Sequence, residues 1–159
     1  MDELADILKE NNISIASIES FTVGSFANMI GSIQGISQVY KGSLVSYQSC
    51  IKRDVLHIKQ NVIDTFGVVS NEVAGLMAIH GKELFDCDLC ISFTGNAGPT
   101  AMEGKPVGLI YIGIVYLDKI QTYCFQLSGK RNDIKNQAVL LGIEKILEIL
   151  KKNKNFLCI

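Results

Sequence analysis

The chain has 159 residues, 48% apolar and 19% charged, with no Trp, a composition that suits one globular domain and excludes a disordered segment. A formal net charge of −1 leaves no surplus of Lys and Arg to neutralise a phosphate backbone, so nucleic acid is not an expected partner. No apolar run approaches the roughly 20 residues of a membrane span, and Met1-Asp2-Glu3 does not open a signal peptide, so a cytoplasmic chain with no membrane partner is expected.

Leu4, Ile7 and Leu8 fall at helical spacing before Asn11-Asn12, which predicts a short amphipathic helix over 3–10. The β-branched run from Ile13 to Ile18 predicts a strand, and Phe26, Ala27 and Ile30 then resume helical spacing, so Ser20 lies at a strand-to-helix junction. A second strand is expected over 39–48, with a short helix from Lys52 to Leu56. Ser70 is placed to cap a helix running to about 85, with Glu72 in its first turn and an apolar face of Val73, Leu76, Met77 and Leu84.

A third strand follows from Asp88 and ends in Thr94-Gly95-Asn96-Ala97-Gly98-Pro99. Two long strands, about 107–117 and 120–127, form a hairpin joined at Asp118-Lys119, and a final helix covers about 132–151, its basic tail Lys151 to Asn155 reading as a solvated helix end. Strands interleaved with helices, plus one antiparallel hairpin, predict a single α/β domain over 1–159. Its architecture is a three-layer α/β/α sandwich with a mixed, mainly parallel sheet.

The five cysteines are odd in number and irregularly spaced, which fits reduced thiols. Cys87-Asp88-Leu89-Cys90 has the C-x-x-C form. No second pair accompanies it, His57 and His80 stand in no ligand spacing, and residues three apart in a strand point to opposite faces, so no metal is expected.

In open α/β sheets ligands sit beyond the carboxyl ends of the strands, where helix N-termini and glycine-bearing loops offer N–H groups to anions. Glu19-Ser20-Phe21-Thr22-Val23-Gly24 and Thr94 to Pro99 both have that placement and are expected to open on one cleft. Alternative roles stand beside this: Ser20 as a helix cap, Lys52 as an exposed helix residue, Tyr47 as an ordinary strand aromatic.

The ordered set I18-E19-S20-x-T22-x-G24, Y47-x-x-x-x-K52, G67-V68-V69-S70, T94-G95-x-A97-G98-P99 and K105-P106-V107-G108 resembles the CinA C-terminal domain family over residues 3–150. The resemblance implies an amidase that hydrolyses the carboxamide of nicotinamide mononucleotide, with no cofactor. It matches Ser20 to the nucleophile, Lys52 to its base and Tyr47 to a tyrosine lining the site. Glu19, Thr22, Gly24, Thr94, Gly95, Ala97, Gly98, Lys105 and Arg131 are the substrate-binding candidates carried with it.

This sequence has Phe21, Val23, Ser49, Thr100 and Lys135 where the family pattern has cysteine, glycine, asparagine, glycine and arginine, and polar Asn96 inside the 94–99 loop. Val23 predicts either a narrowed pocket or a strained turn, which leaves a regulatory nucleotide-binding module, or an amidase or esterase of other substrates, as competing functions. Association into a homo-oligomer is expected from the hairpin's exposed strand and from apolar Phe156, Leu157 and Ile159.

Overall fold

The computed structural model describes residues 1–157, with side chains described through Asn153, so the side chains of Phe156 and Leu157, and all of Ile159, lie outside the described residues. Its elements in chain order are α1 (Asp2–Glu10), β1 (Ile15–Glu19), α2 (Ser25–Gly31), β2 (Tyr40–Val45), α3 (Ser49–Asp54), α4 (Gln60–Phe66), α5 (Asn71–Phe85), β3 (Leu89–Gly95), β4 (Leu109–Tyr116), β5 (Lys119–Gln126) and α6 (Arg131–Leu157).

The strands form one mixed sheet in the order β2-β1-β3-β4-β5. β1 runs parallel to β2 and β3, while β4 and β5 are antiparallel additions. Central β1 and β3 are buried on both faces, as continuous apolar runs in a sheet covered by helices require. Alternation along the strands sorts the core into two layers. Ile15, Leu89, Ile91, Phe93, Ile110 and Ile112 face α1, α2 and α6. Ala16, Ile18, Cys90 and Val115 face α5, α4 and the segment after α3.

Helix α5 lies so close to the sheet that the Ser92 hydroxyl donates to Ala74 O at 2.6 Å. Gly113 makes that approach possible, because a Cβ there would collide with the Ala74 carbonyl. The expected capping of α5 is present, with Ser70 Oγ accepting from Val73 N at 3.3 Å.

Several boundaries differ from expectation. Helix α3 starts at Ser49 rather than Lys52, and α4 was not anticipated, its apolar pattern being limited to Val62, Ile63 and Phe66. The β4–β5 turn is Leu117-Asp118, since Tyr116 pairs with Lys119, and Leu117 accepts φ 54° to make it. The basic tail does not end α6. The helix continues to Leu157, and Lys151 pairs with Glu3 of α1 at 2.6 Å.

The cysteine pair also departs from expectation. Cys87 and Cys90 share one core layer because Cys87 precedes the strand, where alternation does not apply. The neighbouring Cys90 lowers the Cys87 thiol pKa, and burial raises that of Cys90 well above its ordinary value.

Candidate active site

The carboxyl ends of β1 and β3 lie side by side, with Glu19 paired to Phe93, so the loops leaving them flank one cleft. Ser20 N donates to Phe93 O at 3.0 Å and fixes the first loop to the second strand. The cleft holds a cavity of about 300 Å³. From the first loop it is lined by Ser20 and Phe21, from the segment after β2 by Tyr47, Gln48 and Ser49, and from the 94–99 loop by Thr94 through Gly98. Val68, Val69, Thr100, Met102 and Arg131 complete it. The expected sharing of one cleft by Ser20 and the 94–99 loop is therefore present.

Lys52 comes up beneath this floor. Only 1% of it is exposed, and its Nζ donates to Ser20 Oγ at 3.1 Å and to the Ser46 carbonyl. Burial drives the Lys52 ammonium down from 10.5 to about 8, against the opposing influence of the Glu103 carboxylate. Lys52 is thus no exposed helix residue. Nor is Ser20 a helix cap: the N-cap of α2 is Gly24, at φ 83°, which leaves the serine hydroxyl for the lysine.

The turn between them carries strain. Val23 adopts φ 50°, a left-handed conformation that a β-branched side chain resists, immediately before Gly24. The Val23 side chain is 47% exposed and does not line the cavity, so of the two expected consequences of valine here, the strained turn is the one present.

The 94–99 loop is held from three sides. Gly95 can only be glycine, since a Cβ would lie 2.8 Å from both Ile110 Cα and Leu109 O. Thr94 Oγ1 donates to Val68 O at 2.6 Å. Asn96 Nδ2 donates to Met102 O and Lys105 O, each at 3.1 Å, so this polar residue fastens the loop that follows. Ala97 and Gly98 line the cavity, as does Phe21, and the N–H groups of these three residues engage no protein acceptor among the described residues. Across the mouth, Arg131 at the start of α6 donates to Gly98 O and, at 3.2 Å, to the Tyr47 hydroxyl.

Four binding candidates stand outside the cavity lining. Glu19 is fully buried, and its carboxylate accepts from Phe26 N at 3.2 Å, Ala27 N at 2.9 Å and the Ser43 hydroxyl at 3.2 Å. It completes the N-terminus of α2 and so anchors the residue next to Ser20. Thr22 is buried with its hydroxyl unpartnered among the described residues, and Gly24 serves the turn. Lys105 donates to Phe66 O at 2.9 Å, Val69 O at 2.7 Å and Glu103 at 3.2 Å, which commits its ammonium to holding the wall.

Residues that sequence reasoning did not assign to the site are Gln48, Val68, Val69, Met102 and Glu103. Val68 and Val69 sit inside a recognisable segment, but nothing in an apolar pair distinguishes cavity wall from core. Glu103 lies in a polar loop whose path depends on two consecutive left-handed residues, Glu103 at φ 58° and Gly104 at φ 66°. Among the described residues no three His, Cys, Asp or Glu side chains converge as a metal site, and no helix is long and apolar enough to cross a membrane.

Residues 1–150 match the family model of the CinA C-terminal domain. A competence-damage inducible protein of Levilactobacillus brevis is 37% identical over 148 residues, covering 92% of this chain and 36% of the relative. One from Oceanobacillus iheyensis is 40% identical over 151 residues, covering 94% and 36%. The chain therefore spans about a third of the length of these curated relatives. Among solved structures, a competence or damage-inducible protein of Enterobacter asburiae superposes with a TM-score of 0.92 at 22% identity, covering 94% of both chains, a likeness of fold. The competence/damage inducible protein CihA of Agrobacterium tumefaciens gives 0.86 at 27% identity, again with 94% of both chains covered.

Proposed function

The chain belongs to the CinA C-terminal domain family, and from that premise we propose that it is an amidohydrolase of the serine–lysine type acting on nicotinamide mononucleotide. The observation that carries the reading is the buried Lys52 ammonium against Ser20 Oγ at 3.1 Å, at the floor of the cavity. A serine hydroxyl needs a neighbouring base, and a lysine whose burial lowers its pKa to about 8 is roughly one-tenth neutral at pH 7. Serine–lysine pairs are an established form of this chemistry.

In the reaction Ser20 Oγ attacks the carboxamide carbon while neutral Lys52 takes the hydroxyl proton. The developing oxyanion meets the unengaged N–H groups of Phe21, Ala97 or Gly98, where each donor is worth about 3 kcal/mol. Collapse breaks the carbon–nitrogen bond, and the lysine returns its proton so that ammonia leaves. Water activated by the same lysine then hydrolyses the ester, giving nicotinate mononucleotide and free Ser20. Arg131 and the glycine-bearing 94–98 loop suit the substrate's phosphate.

The test is ammonia release from nicotinamide mononucleotide by purified protein in the presence of a chelator. Turnover supports the reading. Saturable binding of the nucleotide without ammonia would replace it with a regulatory binding module, the reading favoured by the strained Val23 turn beside the nucleophile. Equal turnover of substrates lacking the phosphate would point to a different amidase or esterase.

A further inference from the structure

We propose that Glu103 and Lys105 are positioning residues for the substrate, a clasp that holds the main chain of Val68 and Val69 so that these two residues form a fixed apolar wall for the substrate's ring; the identity of that ring rests on the amidase reading.

Val68 and Val69 lie between α4 and α5, outside any strand or helix, so their peptide groups need partners from elsewhere. All four groups are taken by side chains from the end of β3 and the loop that follows it. The Glu103 carboxylate accepts from Val68 N at 2.7 Å and Val69 N at 3.2 Å. Lys105 Nζ donates to Val69 O at 2.7 Å, and Thr94 Oγ1 donates to Val68 O at 2.6 Å. Lys105 also donates to Phe66 O at 2.9 Å and to Glu103 at 3.2 Å, so the two charges of the clasp bind each other as well as the wall.

The clasp is itself held in shape. Lys105 N donates to Met102 O at 3.1 Å, closing a turn whose central residues, Glu103 and Gly104, stand at φ 58° and 66°. Asn96 Nδ2 fastens both ends of that turn through Met102 O and Lys105 O. Gly67, at φ 76°, leaves the space that the Glu103 carboxylate fills, since a Cβ there would collide with it. Val68, Val69 and Met102 all line the cavity that holds Ser20, so one set of bonds fixes aliphatic lining from two separate stretches of chain. A wall ordered before the ligand arrives spares the cost of ordering it on binding. No hydrogen bond joins Glu103 or Lys105 to Ser20 or Lys52 among the described residues, so loss of the clasp should act on binding and leave the chemical step in place.

The test is steady-state ammonia release from nicotinamide mononucleotide at pH 9, where Lys52 is mostly neutral with or without the Glu103 charge, together with amide hydrogen exchange of Val68 and Val69 read by NMR. In Glu103→Ala both amides are expected to exchange at least about tenfold faster, and KM to rise at least about fivefold with kcat within about twofold of wild type. Glu103→Gln offers one acceptor oxygen to two amides and carries the test if the Ala variant does not fold, with faster exchange at one amide and KM raised at least about twofold. Unchanged exchange, an unchanged KM, or a fall in kcat in place of the rise in KM overturns the proposal. If wild type releases no ammonia, the dissociation constant of the mononucleotide by calorimetry replaces KM. Weaker binding in the variants then sustains the clasp and removes the amidase reading, whereas a wild type that does not bind the nucleotide removes both. Ammonia release at the wild-type KM in the variants sustains the amidase reading and removes the clasp.

Discussion

Lys52 Nζ lies 3.1 Å from Ser20 Oγ, with the lysine 1% exposed and the serine on the cavity floor. Burial of an ammonium in that position costs more than its charge gains there. The lysine is retained at that cost, and the cost itself can be measured.

Below pH 8 Lys52 is protonated in both folded and unfolded chains, and the difference between 10.5 and about 8 amounts to about 3 kcal/mol against folding. As pH rises from about 8 to 10.5 the folded chain carries neutral lysine while the unfolded chain still binds its proton, so this penalty disappears. Lys52→Met should therefore be more stable than wild type at pH 7, by about 2 kcal/mol once about 1 kcal/mol is allowed for the lost bond to Ser46 O. The advantage should vanish by pH 10.5. Urea unfolding across pH reads both quantities, and a variant less stable than wild type at pH 7 contradicts the burden assigned to the lysine.

The same pKa fixes a rate profile. If neutral Lys52 is the base, kcat/KM falls about tenfold for each pH unit below about 8 and levels off above it. A profile flat from pH 6 to 9 would mean that another group accepts the serine proton.

Val23 can be relieved of its conformation without touching the cavity. Its φ of 50° costs on the order of 1–2 kcal/mol, whereas glycine there loses roughly 0.5–1 kcal/mol in unfolded-chain entropy and little packing. Val23→Gly should raise stability by up to about 1 kcal/mol, seen as a higher denaturant midpoint with unchanged slope. Faster ammonia release in this variant would show that the strain also reaches the adjacent serine turn. A lower midpoint would mean that the left-handed turn is not where the strain resides.

Strand β5 ends the sheet, and its outer edge pairs with no strand among the described residues, while Ile120 on it is 43% exposed. An edge of this kind favours pairing with a second copy. Light scattering at micromolar concentration should give a homodimer or a larger homo-oligomer, and a monomer alone would set the expectation aside.

The sequence already carried the order of the strands' loops, because β-branched runs in β1 and β3 and the glycines after them are local signals. The resemblance to the CinA C-terminal domain family added Ser20, Lys52, Tyr47, Arg131 and the 94–98 loop as one group. What the sequence did not carry depends on tertiary geometry. Glu19 and Lys105 sit within recognisable segments, yet whether a carboxylate turns to a substrate or to the amides of α2 is decided by how α2 enters, and no residue pattern encodes that entry. Glu103 is reached only through two left-handed residues and a bond to another loop. Helix α4 escaped notice because its short buried face has no cap signal: Lys59 stands at its N-cap with no side-chain bond.

Ser20 as the nucleophile is decided by the rate of ammonia release from nicotinamide mononucleotide by Ser20→Ala. Removing one hydroxyl from the floor of the cavity leaves Lys52 bonded to Ser46 O and the surrounding loops in place, so the variant should fold and bind the nucleotide as wild type does. Its rate should fall on the order of 10³-fold or more, as loss of a nucleophile from a nucleophile–base unit requires. A folded Ser20→Ala protein that still releases ammonia within tenfold of the wild-type rate would mean that Ser20 is not the nucleophile.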